Sequence, residues 1–248
     1  MTIPFDAALV SAFFLALLRA SAWLISTPPF ANRSIPGRVK AGFAAALALV
    51  SAPMIHNPPP FGSVAFVNSA VLQLAVGFAL GLITQLLFAV FQTAGSLIDV
   101  FAGYSIAMLY DPMADTQNTI FGRIYSLIGV TLFFVTGACT MMVKGFIFSF
   151  RAIPASGISL ANLEQLLTRE LGMFMVAAIE IAAPVLVTLF LTELVLGILA
   201  KASPSLNVFA LGFPLRVIVA ITTVMLAIPL LLPAASSIAD EIVQTMRW

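Results

Sequence analysis

Six long apolar runs, separated by short polar or proline-rich connectors, make up most of this chain. The first, Ala7–Ala31, is interrupted by Arg19 and ends at Thr27-Pro28-Pro29. A basic connector, Arg33-Ser34-Ile35-Pro36-Gly37-Arg38-Val39-Lys40, leads into the second run, Ala41–Ile55. That run falls short of the about 20 apolar residues a membrane span needs. Pro53 and His56-Asn57-Pro58-Pro59-Pro60 close it, and three successive prolines fix an extended connector. The third run, Val64–Gly103, exceeds the roughly 17–25 residues of one straight span. It reads either as one helix projecting beyond a bilayer or as a kinked pair. Gly77 and Gly81 form a Gly-x-x-x-Gly pair that permits close helix approach.

The stretch Tyr110-Asp111-Pro112-Met113-Ala114-Asp115-Thr116-Gln117-Asn118-Thr119 is the most polar connector. The residues alone make it a solvated turn. The fourth run, Ile124–Phe150, holds Cys139 and Lys144 and is expected to be one segment. Leu160, Leu163, Leu166, Leu167 and Leu171 share one helical face, and Asn162 with Gln165 has capping-box spacing. These features predict a short helix lying at an interface within 151–170. The fifth and sixth runs, Met173–Ala200 and Val208–Pro233, flank a polar elbow containing Lys201, Ser203, Pro204 and Asn207. The chain thus divides into residues 1–165, with four runs, and a hairpin over 170–248.

Composition turns this pattern into a membrane protein. Of 248 residues 61% are hydrophobic and 8% charged, and mean hydropathy is +1.12. Soluble domains hold about 45–50% apolar and about 25% charged residues. The runs have helical lengths without the dyad alternation of an outer-membrane barrel, so the fold class is all-α and membrane-associated. With 21 Phe but only 2 Trp and 3 Tyr, the aromatic belt that anchors lipid-facing spans is thin. Much of the surface is therefore expected to meet protein. Counting six spans, the positive-inside rule puts Arg33, Arg38 and Lys40 in the cytoplasm, with both termini outside and the 109–123 and 201–207 connectors inside.

Charges inside membrane-length runs or at their edge then stand out: Arg19, Asp99, Glu180, Glu193, Lys201 and Arg216. Each costs at least ~2.5–3.5 kcal/mol at a helix centre unless it finds a partner or water. One chain of this size is not expected to satisfy them all, so they are read as polar contacts to other subunits. Glu193, Gly197 and Lys201 share one face, and Lys201 suits the helix C-terminus. A second reading makes Glu180 and Glu193 an acidic relay of an ion-coupled transporter, on a helix broken at Pro184. Paired inverted halves, which that reading expects, are not visible.

No catalytic constellation is present: there is no Gly-x-Ser-x-Gly elbow, His-Glu-x-x-His motif or phosphate-binding Walker loop. One histidine and one cysteine preclude a His-rich or thiolate metal cluster and an internal disulfide. A net charge of +1 with scattered signs gives no basic face for nucleic acid. No cofactor is expected.

A set of short motifs carries a family resemblance. Arg19 is followed by Pro28-Pro29-Phe30, Ile35-Pro36 and Arg38-Val39-Lys40. Then come Gly95-Ser96-Leu97-Ile98-Asp99, Gly103 and Asp111-Pro112. The end has Glu180, Ala183-Pro184, Leu196-Gly197, Ala202-Ser203-Pro204-Ser205-Leu206-Asn207-Val208-Phe209 and Leu211-Gly212-Phe213-Pro214-Leu215. Nearly the whole chain resembles the FliR family of the flagellar type III export apparatus, called SctT in injectisomes. The resemblance implies a non-enzymatic subunit of the core export gate in the bacterial inner membrane, embedded in inner-membrane lipid. There it would assemble with FliP-like and FliQ-like subunits, near FlhB-like and FlhA-like proteins, and conduct unfolded substrate proteins. By the same resemblance 1–165 is a FliP-like part and 170–248 a FliQ-like hairpin, both built of kinked helices. Tyr110–Thr119 becomes a loop that plugs the closed channel, and Ser203, Pro204 and Asn207 mark a cytoplasmic elbow.

Overall fold

The computed structural model describes residues 7–31, 35–104, 120–153, 160–203 and 207–245. Among these residues every regular element is a helix. The helices are α1 (Ala7–Ser26), α2 (Pro28–Ala31), α3 (Gly37–Ser51), α4 (Val64–Ala102), α5 (Ile120–Val135), α6 (Ala138–Ala152), α7 (Leu160–Ala202) and α8 (Val208–Thr245). A 3-10 turn over Ala52–Met54, with Pro53 in its first turn, ends α3.

Local chemistry sets these boundaries. Thr27 Oγ1 donates to Trp23 O at 2.7 Å and closes the last turn of α1, and Pro28-Pro29 stop it. Ser63 starts α4: its Oγ accepts the Phe66 N–H at 3.1 Å and donates to Pro60 O at 2.8 Å. Gly103, at φ 87°, ends α4 in the left-handed conformation that a helix C-terminus favours. Asn207 Oδ1 accepts the Ala210 N–H at 3.2 Å and caps α8. Replacing Asn207 by alanine is expected to cost about 1 kcal/mol, read as a small drop in thermal stability of the full chain.

The third run takes the first of its two expected forms, one unbroken helix of 39 residues. Other expectations are corrected. The fourth run is two helices, because Gly137 at φ 75° interrupts it. The leucine-rich interfacial helix does not stand alone; it continues into α7 as one helix of 43 residues that passes through Pro184. α8 likewise contains Pro214, Pro229 and Pro233. By length and composition α1, α4, α7 and α8 can cross a membrane, or five segments if the bent pair α5–α6 forms one span. The second run, as the 15-residue α3, is not among them. Six crossings are therefore replaced by four or five, and placing both termini outside no longer follows.

The chain forms two compact units that interleave in sequence. One comprises Met1–Leu87, Gly137–Gly172 and Ile238–Trp248; the other comprises Phe88–Thr136 and Met173–Ser237. One boundary between the units falls inside α7, after Gly172, and another inside α4, after Leu87.

In the first unit α1 packs on α4 through the Gly77–Gly81 pair. A Cβ on Gly77 would lie 2.5 Å from Arg19 O and 2.8 Å from Ala22 Cβ. Trp23, fully buried, stacks on Phe146 of α6 at 4.5 Å, and its indole N–H donates to Thr84 Oγ1 at 3.4 Å. In the second unit α4 packs on α5. A Cβ on Gly95 would meet Phe121 C at 2.6 Å and Gly122 Cα at 2.7 Å, both backbone atoms that cannot rotate away. Gly95→Ala is therefore expected to destabilise the chain by about 1–3 kcal/mol, measured by thermal unfolding in detergent.

Candidate functional site

Two polar clusters lie inside the apolar interior, one in each unit. In the first, Arg19 of α1 is 0% exposed. Its Nε donates to Gln73 Oε1 at 2.5 Å, its Nη1 to Ser149 Oγ at 3.2 Å and its Nη2 to Ile153 O at 3.0 Å. Its Cζ lies 4.1 Å from the centre of the Phe150 ring. A planar fork with donors in several directions suits such a cage, where one guanidinium ties α1 to α4 and to the end of α6. The sequence expectation gave Arg19 a partner on another chain; the structure supplies its partners within the chain.

The second cluster surrounds the two ends of the connector between α4 and α5. Asp99 is 0% exposed. Its Oδ2 accepts the Gly122 N–H at 3.0 Å, one of the first-turn donors of α5 that have no helical acceptor. A carboxylate there also faces the positive end of the helix dipole. Oδ1 has no hydrogen-bond partner among the described residues. At the end of α4, a Cβ on Gly103 would sit 3.6 Å from the Phe213 ring and 3.7 Å from Arg216 Nη1, both of α8. The next residue, Tyr104, makes edge-on ring contacts with Phe121 at 5.9 Å and Phe213 at 6.0 Å. Arg216 in turn holds Glu193 of α7, with Nε at 2.7 Å from Oε2 and Nη2 at 2.9 Å from Oε1. The connector is thus held at its base: Gly103-Tyr104 rest on α8 and α5, and the start of α5 is tied to α4.

Among the described residues no group of three or more His, Cys, Asp or Glu is placed to hold a metal ion. The cluster ties the end of α4 to the start of α5 and to α8.

The other candidates fall as follows. Tyr110–Thr119 and Pro204 lie outside the described residues. Glu193 and Arg216, expected to reach other chains, pair with each other, at 57% and 26% side-chain exposure. Glu180 and Lys201 are exposed, Lys201 in the last turn of α7. The Ser203 N–H continues the helical pattern to Leu199 O at 2.9 Å. Residues the sequence reading passed over include Tyr104, Phe121 and Gly122 of the loop base, and Ser149 and Phe150 beside Arg19. An isolated polar residue in an apolar run, such as Gln73, was the signal available for the second group.

The transporter reading loses its structural basis. Helix α7 is continuous through Pro184, Glu193 is neutralised by Arg216, and thirteen residues separate it from Glu180, about 20 Å along a helix.

Comparison with known proteins decides the family. Residues 10–242 match the model for bacterial export proteins, family 1. The chain belongs to this family. It is 29% identical over 246 residues to the flagellar biosynthetic protein FliR of Bacillus subtilis, covering 96% of this chain and 94% of that protein. It is 32% identical to the FliR of Pectobacterium carotovorum, covering 94% and 90%. It is also 26% identical to Yop proteins translocation protein T of Yersinia pestis, covering 82% and 80%. Proteins named for flagellar biosynthesis and for Yop translocation are thus both similar to it over most of their length.

Proposed function

We propose that this chain is a structural subunit of the core export gate of a flagellar-type, type III secretion apparatus in the bacterial inner membrane. It forms part of the channel that passes unfolded proteins. The observation that carries this reading is the family match over residues 10–242, supported by near full-length similarity to two flagellar FliR proteins. The subunit works without a cofactor, and energy comes from outside the chain. Its partners are FliP-like and FliQ-like subunits, with FlhB-like and FlhA-like proteins at the cytoplasmic side.

The geometry suits a subunit of a larger assembly. Phe190, Ile198, Ile218, Met225 and Leu226 on α7 and α8 are exposed, beside exposed Glu180 and Lys201 and the partly exposed Glu193–Arg216 pair. Neighbouring subunits cover these positions and complete the polar contacts. Arg19 and Asp99, already held inside the chain, maintain the shape of the subunit. Tyr110–Thr119 closes the channel, and the ties around Asp99 and Tyr104 set its position.

Purification with the FliP-like and FliQ-like neighbours tests the reading. Native mass is expected to show a stable complex of several chain types containing this subunit. A well-behaved monomer or homodimer without those partners would overturn it. Within the assembled gate, removing Leu109–Thr119 is expected to raise ion leak across the membrane. Unchanged leak would remove the plug assignment and leave the subunit assignment standing.

A further inference from the structure

From Ala7 to Leu87 the chain carries four cations, Arg19, Arg33, Arg38 and Lys40, and no acidic residue. Helix α6 adds Lys144 and Arg151, again with no acid. The acidic residues of the first compact unit are Asp6, Glu164, Glu170, Asp240 and Glu241, all outside α1 to α6. Arg19 is buried, whereas Arg38, Lys144 and Arg151 are exposed and Lys40 is half-exposed. Within this unit, the exposed cations of α1 to α6 therefore sit on α3 and α6, which pack against each other, while exposed Arg169 of the same unit lies on α7.

Both helices have 15 residues, about 22 Å in length. The hydrocarbon core is about 30 Å thick, so neither crosses it alone. Both nevertheless expose apolar side chains beside their cations. On α3 these are Val39, Leu49 and Val50. On α6, Met141, Lys144, Phe148 and Arg151 recur at helical spacing as one exposed stripe, with Met141 39% and Phe148 41% exposed. Arg151 Cζ lies 5.7 Å from the centre of the Phe148 ring. Cations interleaved with exposed apolar groups on short helices are the pattern of a surface that lies at the headgroup boundary. Long basic side chains there reach phosphate while their stems stay in apolar surroundings.

We propose that the α3–α6 face of the first unit is a docking surface for anionic phospholipid, with Arg38, Lys40, Lys144 and Arg151 contacting headgroup phosphates. Its occupant is lipid: helices too short to cross alone, apolar groups beside the cations, and a membrane chain as host all favour the bilayer surface over an acidic protein. This surface goes beyond the export-gate reading and does not depend on which proteins the chain assembles with.

The test uses the full chain in mild detergent, titrated with phosphatidylglycerol or phosphatidylcholine, with bound lipid counted by native mass spectrometry. Wild type is expected to retain phosphatidylglycerol preferentially, and less of it as salt rises. Each cation near an anionic surface contributes roughly fivefold in binding. The variants R38Q/K40Q and K144Q/R151Q are each expected to lose roughly 25-fold on the same scale. Equal retention of the two lipids by wild type, a preference insensitive to salt, or variants that bind like wild type would each overturn the proposal. So would variants that keep the lipid preference but lose a co-purifying acidic protein. The salt titration on wild type decides the matter even where a variant fails to fold.

Discussion

Replacing Arg19 by alanine is expected to cost about 2–6 kcal/mol, because two acceptors lose their donor at about 1–3 kcal/mol each. That is a large share of a total stability of about 5–15 kcal/mol, so the full chain should accumulate poorly and melt well below wild type in detergent. The cost comes mainly from what stays behind. Gln73 is 1% exposed and Ser149 0% exposed, so neither can turn to water for a new partner. Gln73 Oε1 and Ile153 O lose donors at 2.5 and 3.0 Å, and each buried orphan costs about 1–3 kcal/mol. Ser149 suffers less, because its hydroxyl also donates to Phe146 O at 2.6 Å. Arg19→Lys is expected to rescue only part of the loss, since one ammonium cannot reproduce a fork aimed at three acceptors. The double variant R19M/Q73L provides the decisive comparison. Removing both partners should destabilise less than R19M alone, because no buried amide is left unpaired. An R19A chain that melts with wild type would show that the cage carries no stability.

The partners of Arg19 also show where sequence reasoning ends. That a guanidinium in an apolar run needs a partner follows from solvation energy alone, and the structure supplies one. Which partner does not follow, because Gln73, Ser149 and Ile153 lie 54 to 134 positions away and only folding brings them together. The assumption that one chain could not satisfy these charges misdirected the reading of Arg19, which neutral acceptors and a phenyl ring hold well. Helix existence was far more legible. The run Val64–Gly103 became α4 almost to the residue, because apolar length and a terminal glycine are local signals. The fourth run misled for the same reason: Gly137 breaks it through its backbone angle, with no charge or proline to mark the place. Pro184 misled in the opposite direction. Proline removes only one helical hydrogen bond, the one that would reach Glu180 O, and α7 continues through it. Asp99 was legible as a charge that matters; its role at the start of α5 required knowing that Gly122 lies beside it.

Asp99→Ala is expected to leave assembly intact and make the gate leak. The variant removes the acceptor for the Gly122 N–H, and with it the tie between α4 and the first turn of α5. Losing that bond, with a buried donor left behind, shifts the balance at the connector base by about 1–3 kcal/mol. If the connector closes the channel, the open fraction rises by roughly 5- to 150-fold on the same scale, enough to register as increased ion conductance of membranes holding the assembled gate. Asp99→Asn keeps a side-chain oxygen able to accept the same N–H, so its leak should stay near wild type. That contrast separates an acceptor role from a need for charge. Tyr104→Ala removes the edge-on contacts to Phe121 and Phe213, worth about 0.5–1.5 kcal/mol each. It should leak as well, without touching the Asp99 tie. Both variants act at the base of the connector and leave Tyr110–Thr119 unaltered, so leak in both would assign closure to how that segment is held. Assembled gates that stay tight in D99A and in Y104A would mean that the base does not hold the channel shut, and closure would have to come from another subunit.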